Sequence, residues 1–229
     1  EIAEFMHISP NMQRMDSLMV AANIKNLSML ELFYTCVANL AKTMVQREVT
    51  LPEEQRHYIE KDDYNRYTYH NREQDVTEKI IAVMNDAEKL IEICDKTGDF
   101  DDTSEYQLLI RLLKERTIID DDGNRRLRKK GEIEDSSEVL LNPSDPEATF
   151  RYKAGEKNLG YVGNVVESVD VTGSLVTDYA YEKNTYADNQ FMKDYLDTQP
   201  VYEEQILLVA DGAYSGHTNT QKANEHNIK

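Results

Sequence analysis

The chain has 229 residues, 40% of them hydrophobic and 30% charged, with only 9 Gly and 5 Pro. That is enough to bury a sizeable core in one or two domains, and it excludes collagen-like and low-complexity classes. Forty-three acids against 26 bases give a net charge of -17, a field that repels phosphate and counts against a nucleic-acid binder unless basic patches act locally.

No apolar run reaches the roughly 18 residues of a membrane helix. The two cysteines, Cys36 and Cys94, make no disulfide framework, which fits a reducing cytosol. The opening Glu1-Ile2-Ala3-Glu4 has no signal-peptide pattern, and the missing initiator Met leads us to expect a piece of a longer protein.

In chain order, residues 1–27 form a short, nearly neutral zone in which Met12 to Ala22 reads as a strand bounded by Asn11 and Asn23. Residues 28–117 read as an acidic helical bundle. Ser28-Met29-Leu30-Glu31 is a capping box, followed by Leu30, Phe33, Val37, Leu40, Ala41 and Met44 at helical spacing. Thr50-Leu51-Pro52-Glu53 is a second helix start. A third helix is predicted from Gln74 to Thr97, stopped by Gly98, and a fourth from Ser104 to Thr117.

Residues 118–150 read as a polar connection. It holds the turn signal Asp120-Asp121-Asp122-Gly123-Asn124 and the only concentrated positive charge, Arg125-Arg126-Leu127-Arg128-Lys129-Lys130. From 151 to 229 the period changes. Leu159 to Val169 and Ser174 to Glu182 are predicted strands joined by a hairpin at Val171-Thr172-Gly173. Asp188 to Thr198 is a helix with Asp188 as N-cap. Gln205 to Ala210 carries a continuous apolar run that suits a strand buried on both faces. His217 to Asn227 is a last helix, and Ile228-Lys229 would begin a further strand.

An apolar strand ending in Asp211-Gly212 sets a carboxylate at the C-terminal edge of a sheet, where open α/β sheets carry their sites. Asp16 lies on the candidate first strand. If the two strands are neighbours, Asp16 and Asp211 converge, and two carboxylates sharing one spot need a cation. Mg²⁺ is the natural one, a hard ion that takes oxygen ligands and contacts phosphate.

Four fragments, Arg14-Met15-Asp16-Ser17-Leu18-Met19-Val20, Asn142-Pro143-Ser144-Asp145-Pro146-Glu147-Ala148, Gly160-Tyr161-Val162-Gly163-Asn164-Val165-Val166 and Val209-Ala210-Asp211-Gly212-Ala213-Tyr214, together resemble the DDE transposases of bacterial insertion sequences. They follow one another in the order of the clade with helices inserted between the first two strands. The resemblance implies an RNase H-like α/β core with strand order 3-2-1-4-5, truncated at its fifth strand and last helix. It also implies catalytic and metal-binding roles for Asp16 and Asp211, Mg²⁺ (or Mn²⁺) as cofactor, and strand cleavage and transfer at transposon ends. Transposon and target DNA would be the partners, with no membrane, a bacterial cytoplasmic setting and a possible homo-oligomer.

The family's third acid, a Glu on a helix after the fifth strand, has no matching position. It is expected beyond Lys229, as is a basic DNA-binding region before Glu1. The alternative is therefore an inactive remnant or interaction module. Lys153, Lys157, Arg125, Arg126, Arg128, Lys129 and Lys130 are the candidate phosphate contacts, although a charge run is more often a solvated loop.

Other constellations fail. Asp95-Lys96-Thr97-Gly98-Asp99-Phe100 begins like a calcium loop but lacks its Gly and its final Glu. The five His residues have no metal spacing. Tyr64, Tyr67 and Tyr69 could stack on bases, but packing onto the helical insertion is the plainer role.

Overall fold

A computed structural model describes residues 5, 7–9, 11–69, 71–134, 136–153 and 155–229. In chain order the elements are β1 (Met12–Ala21), α1 (Met29–Gln46), a 3₁₀ segment (Glu53–Ile59), α2 (Asp63–Thr68), α3 (Glu73–Thr97) and α4 (Ser104–Arg116). There follow β2 (Thr117–Ile119), β3 (Arg125–Leu127), β4 (Thr149–Lys153), β5 (Glu156–Asp170), β6 (Gly173–Lys183), α5 (Asp188–Thr198), β7 (Leu207–Val209) and α6 (His217–Glu225). The fold is mixed α/β with a mixed sheet. It divides into two units, Glu1–Ala22 with Thr149–Lys229, and Asn23–Ala148. Among the described residues no helix is long and apolar enough to cross a membrane.

In the first unit β5 is the organising strand. Its residues 160–168 pair antiparallel with β1 on one edge. Its other edge takes β4 opposite residues 156–160 and β6 opposite residues 161–170. β1 then pairs in parallel with β7, and an Ile206–Ile228 bridge, also parallel, continues the sheet beyond β7. The order across the sheet is thus β6, β5, β1, β7 and Ile228.

Alternation along β1 turns Gln13 and Met15 inward and Met12, Arg14 and Asp16 outward. The inner face packs Met15, Val162 and Val166 against Phe191, Tyr195 and Leu196 of α5 and against Tyr214. Gln13 is satisfied inside this core by the Tyr195 hydroxyl, 2.7 Å from its Oε1. That bond offsets the cost of burying an amide.

The second unit is helical. The Ser28–Glu31 capping box forms reciprocally, with the Ser28 N–H donating to Glu31 at 2.8 Å and the Glu31 N–H to Ser28 Oγ at 3.3 Å. Phe33, Val37, Leu40 and Met44 of α1 are fully buried against Val83, Ala87 and Leu90 of α3 and Leu109 and Leu112 of α4. α3 ends at Gly98, whose φ of 81° lies in the left-handed region that glycine enters without strain.

Several expectations need correction. The start at Thr50–Glu53 opens a 3₁₀ segment rather than an α-helix, and Pro52 is its N-cap with no side-chain bond. Asp188 is the first residue of α5 and not its cap; Ala187 holds that position. β7 is not buried on both faces, because Leu207 and Val209 are 44% and 43% exposed while only Ile206 is buried. Leu207 and Val209 thus put apolar side chains on a face that meets solvent. The connection 118–150 is also more structured than expected, containing the β2–β3 hairpin, and the chain to Ala148 clusters with the helices.

Candidate functional site

Parallel pairing of β1 with β7 sets Met12 opposite Leu207, Gln13 opposite Leu208 and Arg14 opposite Val209. Carried two residues further, the same register sets Asp16 level with Asp211. Neighbouring strands lie about 4.8 Å apart, and residues two apart share a face. Both aspartates are exposed. One oxygen of each is held by backbone: Asp16 Oδ1 accepts from the Ser17 N–H at 2.8 Å, and Asp211 Oδ1 accepts from the Ala213 N–H at 2.7 Å, capping the turn Gly212–Tyr214. The second oxygen of each has no partner among the described residues.

Tyr214 lies behind them, 1% exposed. Its hydroxyl donates to Asn164 Oδ1 at 2.8 Å. Burial pushes the phenol up to about 12; a hydrogen bond with the Ser17 side chain opposes this, and the charges of Asp188, Asp16 and Asp211 add to it. The phenol therefore stays protonated as a donor, and one hydroxyl senses three carboxylates.

Asp188 was legible in the sequence only as a helix-start residue. Its side chain is 10% exposed and its Oδ2 lies 3.8 Å from Arg151 Nη2, while its Oδ1 is buried with no hydrogen-bond partner. No sequence signal distinguishes it from an ordinary helix-start aspartate.

The donor chemistry suits a hard divalent ion. Asp16 and Asp211 each offer a free carboxylate oxygen toward solvent, and Mg²⁺ binds by one or two carboxylates while keeping several waters. Among the described residues no group of three or more His, Cys, Asp or Glu side chains is disposed to hold a metal. Protein ligation would therefore come from this pair, with water and substrate oxygens completing the shell.

The candidate phosphate contacts behave differently. Arg125 donates to Glu88 at 2.6 Å and to Thr117 Oγ1 at 2.8 Å. Arg126 grips both Glu132 oxygens, at 2.8 and 2.9 Å. Arg128 donates to the Glu132 carbonyl at 3.1 Å. Most of this positive charge is therefore engaged internally, and Lys129 and Lys130 remain exposed. All five belong to the Asn23–Ala148 unit. Lys157, in the sheet unit, is exposed with its ammonium 4.6 Å from the centre of the Phe150 ring. The Lys153 side chain lies outside the described residues.

No family model, curated protein or solved structure matches the chain.

Proposed function

We propose that the chain is the catalytic portion of a DNA transposase with an RNase H-like core, acting in the bacterial cytoplasm on transposon ends and target DNA. The observation that carries this reading is the parallel register of β1 and β7, which pairs Arg14 with Val209 and, continued two residues further, would align Asp16 with Asp211. The strand order β6, β5, β1, β7, Ile228 supports it, because it corresponds to the 3-2-1-4-5 order of such cores. So does the position of the helical segment in the chain, between the first two strands of that order.

Asp16 and Asp211 would hold Mg²⁺ (or Mn²⁺), which when bound polarises phosphate and activates a water or hydroxyl nucleophile. The role of the chain itself is to position. The Ser17 and Ala213 N–H groups fix one oxygen of each aspartate, so the other is presented without loss of rotamer freedom on binding. Tyr214, locked to Asn164, keeps its proton and so adds no third negative charge beside the two aspartates.

A second reading is an interaction module without catalytic activity. It is favoured by the outward side of the sheet, where Leu18, Val176, Tyr181, Leu207 and Val209 are 43–53% exposed. Exposed apolar surface on one face is the mark of a binding surface.

Mn²⁺ titration followed by electron paramagnetic resonance tests the metal site. Wild type should bind Mn²⁺, and Asp16→Asn and Asp211→Asn should each weaken binding by tenfold or more with unchanged circular dichroism. Equal binding by wild type and both variants would remove the proposal. Metal binding without any nicking of plasmid DNA would select the interaction module.

A further inference from the structure

A cavity of about 570 Å³ has neither Asp16 nor Asp211 in its lining. It lies wholly among residues of the helical unit. Its lining includes Ala38, Asn39 and Lys42 of α1 together with Ile59, Lys61 and Tyr64. Its volume falls within the range of small-ligand sites.

Charge sets this cavity apart. In a chain of net charge -17, many cations of the helical unit are matched to a carboxylate, as in Arg47–Asp102, Arg66–Glu60, Lys89–Glu54 and Arg126–Glu132. Lys42 and Lys61 have no hydrogen-bond or carboxylate partner among the described residues, and both line this one cavity. The acids beside it are already engaged. Glu31 accepts from Lys25 at 2.5 Å and from the Tyr64 hydroxyl at 3.0 Å, and Glu60 accepts from Arg66 at 3.0 Å. Two uncompensated ammonium groups remain, with the Asn39 amide on the same helix face.

The same lining also carries apolar and aromatic surface. Tyr64 is half-buried, with its hydroxyl tied to Glu31 and Lys25 Nζ 5.6 Å from the centre of its ring, so a base would stack there beside or in place of the Lys25 ammonium. Ile59 beside it is 41% exposed. A ligand matching both the lysines and the aromatic surface has an anionic group and a planar ring. Lysine suits phosphate as a point charge, and an aromatic face stacks on any base.

We propose that this cavity binds a nucleoside monophosphate unit, its phosphate between Lys42 and Lys61 and its base against Tyr64 and Ile59. The unit could come from a free nucleotide or from single-stranded nucleic acid, which share this chemistry. The proposal does not depend on the metal site.

Isothermal titration of the full chain with dAMP, adenosine and a short oligodeoxyadenylate tests it. We expect saturable dAMP binding, at least about tenfold weaker binding of adenosine, and a loss of about tenfold in Lys42→Gln/Lys61→Gln and in Tyr64→Leu. The variants' melting curves, checked alongside, separate lost binding from lost folding. Tighter binding of the oligonucleotide than of dAMP, weakened by the same variants, identifies single strands as the source; binding no tighter than dAMP identifies the free nucleotide. Asp16→Asn should bind dAMP as wild type does, so this proposal and the metal site fail separately. No heat at millimolar dAMP, or equal binding by well-folded Lys42→Gln/Lys61→Gln, overturns it.

Discussion

Gly160→Ala is expected to be the most damaging single-methyl addition in the sheet unit. Gly160 sits where β5 is paired on both edges, with Ala21 on one side and Thr149 on the other. Its φ is +138°, and an added Cβ would lie 2.3 Å from the Val20 carbonyl oxygen and 2.5 Å from the Ala22 nitrogen. Both are backbone atoms, so no rotamer change relieves the clash; β1 must move off β5. The strained dihedral costs about 1–3 kcal/mol. Weakening neighbouring backbone bonds, such as Ala22 N–H to the Leu159 carbonyl at 3.0 Å, costs roughly 1 kcal/mol each. The sum is about 3–5 kcal/mol.

Two controls separate the causes. Gly173→Ala meets a positive φ of +149° but open space, and should cost about 1 kcal/mol. At Gly163 the nearest atom is Leu18 Cγ at 3.5 Å, ordinary contact, so Gly163→Ala should stay within about 0.5 kcal/mol. Urea unfolding gives the totals, and hydrogen exchange of β1 and β5 amides assigns the change to this sheet. If Gly160→Ala is no worse than Gly173→Ala, the close approach of β1 to β5 is wrong.

Tyr214→Phe keeps the packing but leaves Asn164, 3% exposed, without the donor now 2.8 Å from its Oδ1; a loss of about 1–3 kcal/mol in urea unfolding is expected, and a loss below about 0.3 kcal/mol would show that the bond is not made. Acid should weaken the helical unit through Glu31. Burial opposes ionisation of this carboxyl, but hydrogen bonds from Lys25, the Ser28 N–H, the Ser28 side chain and Tyr64 outweigh it and lower it from 4.5 to about 2. A depressed folded value means the stabilisation is complete above pH 4.5 and is lost as pH falls toward 2. Glu31→Gln should therefore reduce stability near neutrality and shrink the wild-type loss across that window; an unchanged acid limb would exclude Glu31 as its source.

Much of the helical unit was legible because its signals are local. A capping box, a left-handed glycine stop and apolar residues at helical spacing act within a few turns of chain, and α1, α3 and α4 begin and end within a residue or so of where those signals put them. The β5–β6 hairpin was legible for the same reason: its two strands are adjacent in sequence and joined by a two-residue turn. The failures are non-local. The run at Gln205–Ala210 looked buried on both faces because hydropathy records only what a residue prefers, and not whether another layer covers it. Arg125 looked like free charge because its partner Glu88, from α3, lies well upstream.

The order of residues alone determined which segments could be helix or strand, and that Asp16 was carried on a strand and Asp211 just past the end of one. Their alignment belongs to the tertiary structure. It depends on backbone pairing between strands from opposite ends of the chain, and a slip of one residue in a parallel register would turn one carboxylate to the other face. The buried, unpartnered oxygen of Asp188 and the two unmatched lysines of the helical cavity belong there too. Whether a polar group has a partner is a property of its neighbours in space, and a sequence names only its neighbours along the chain.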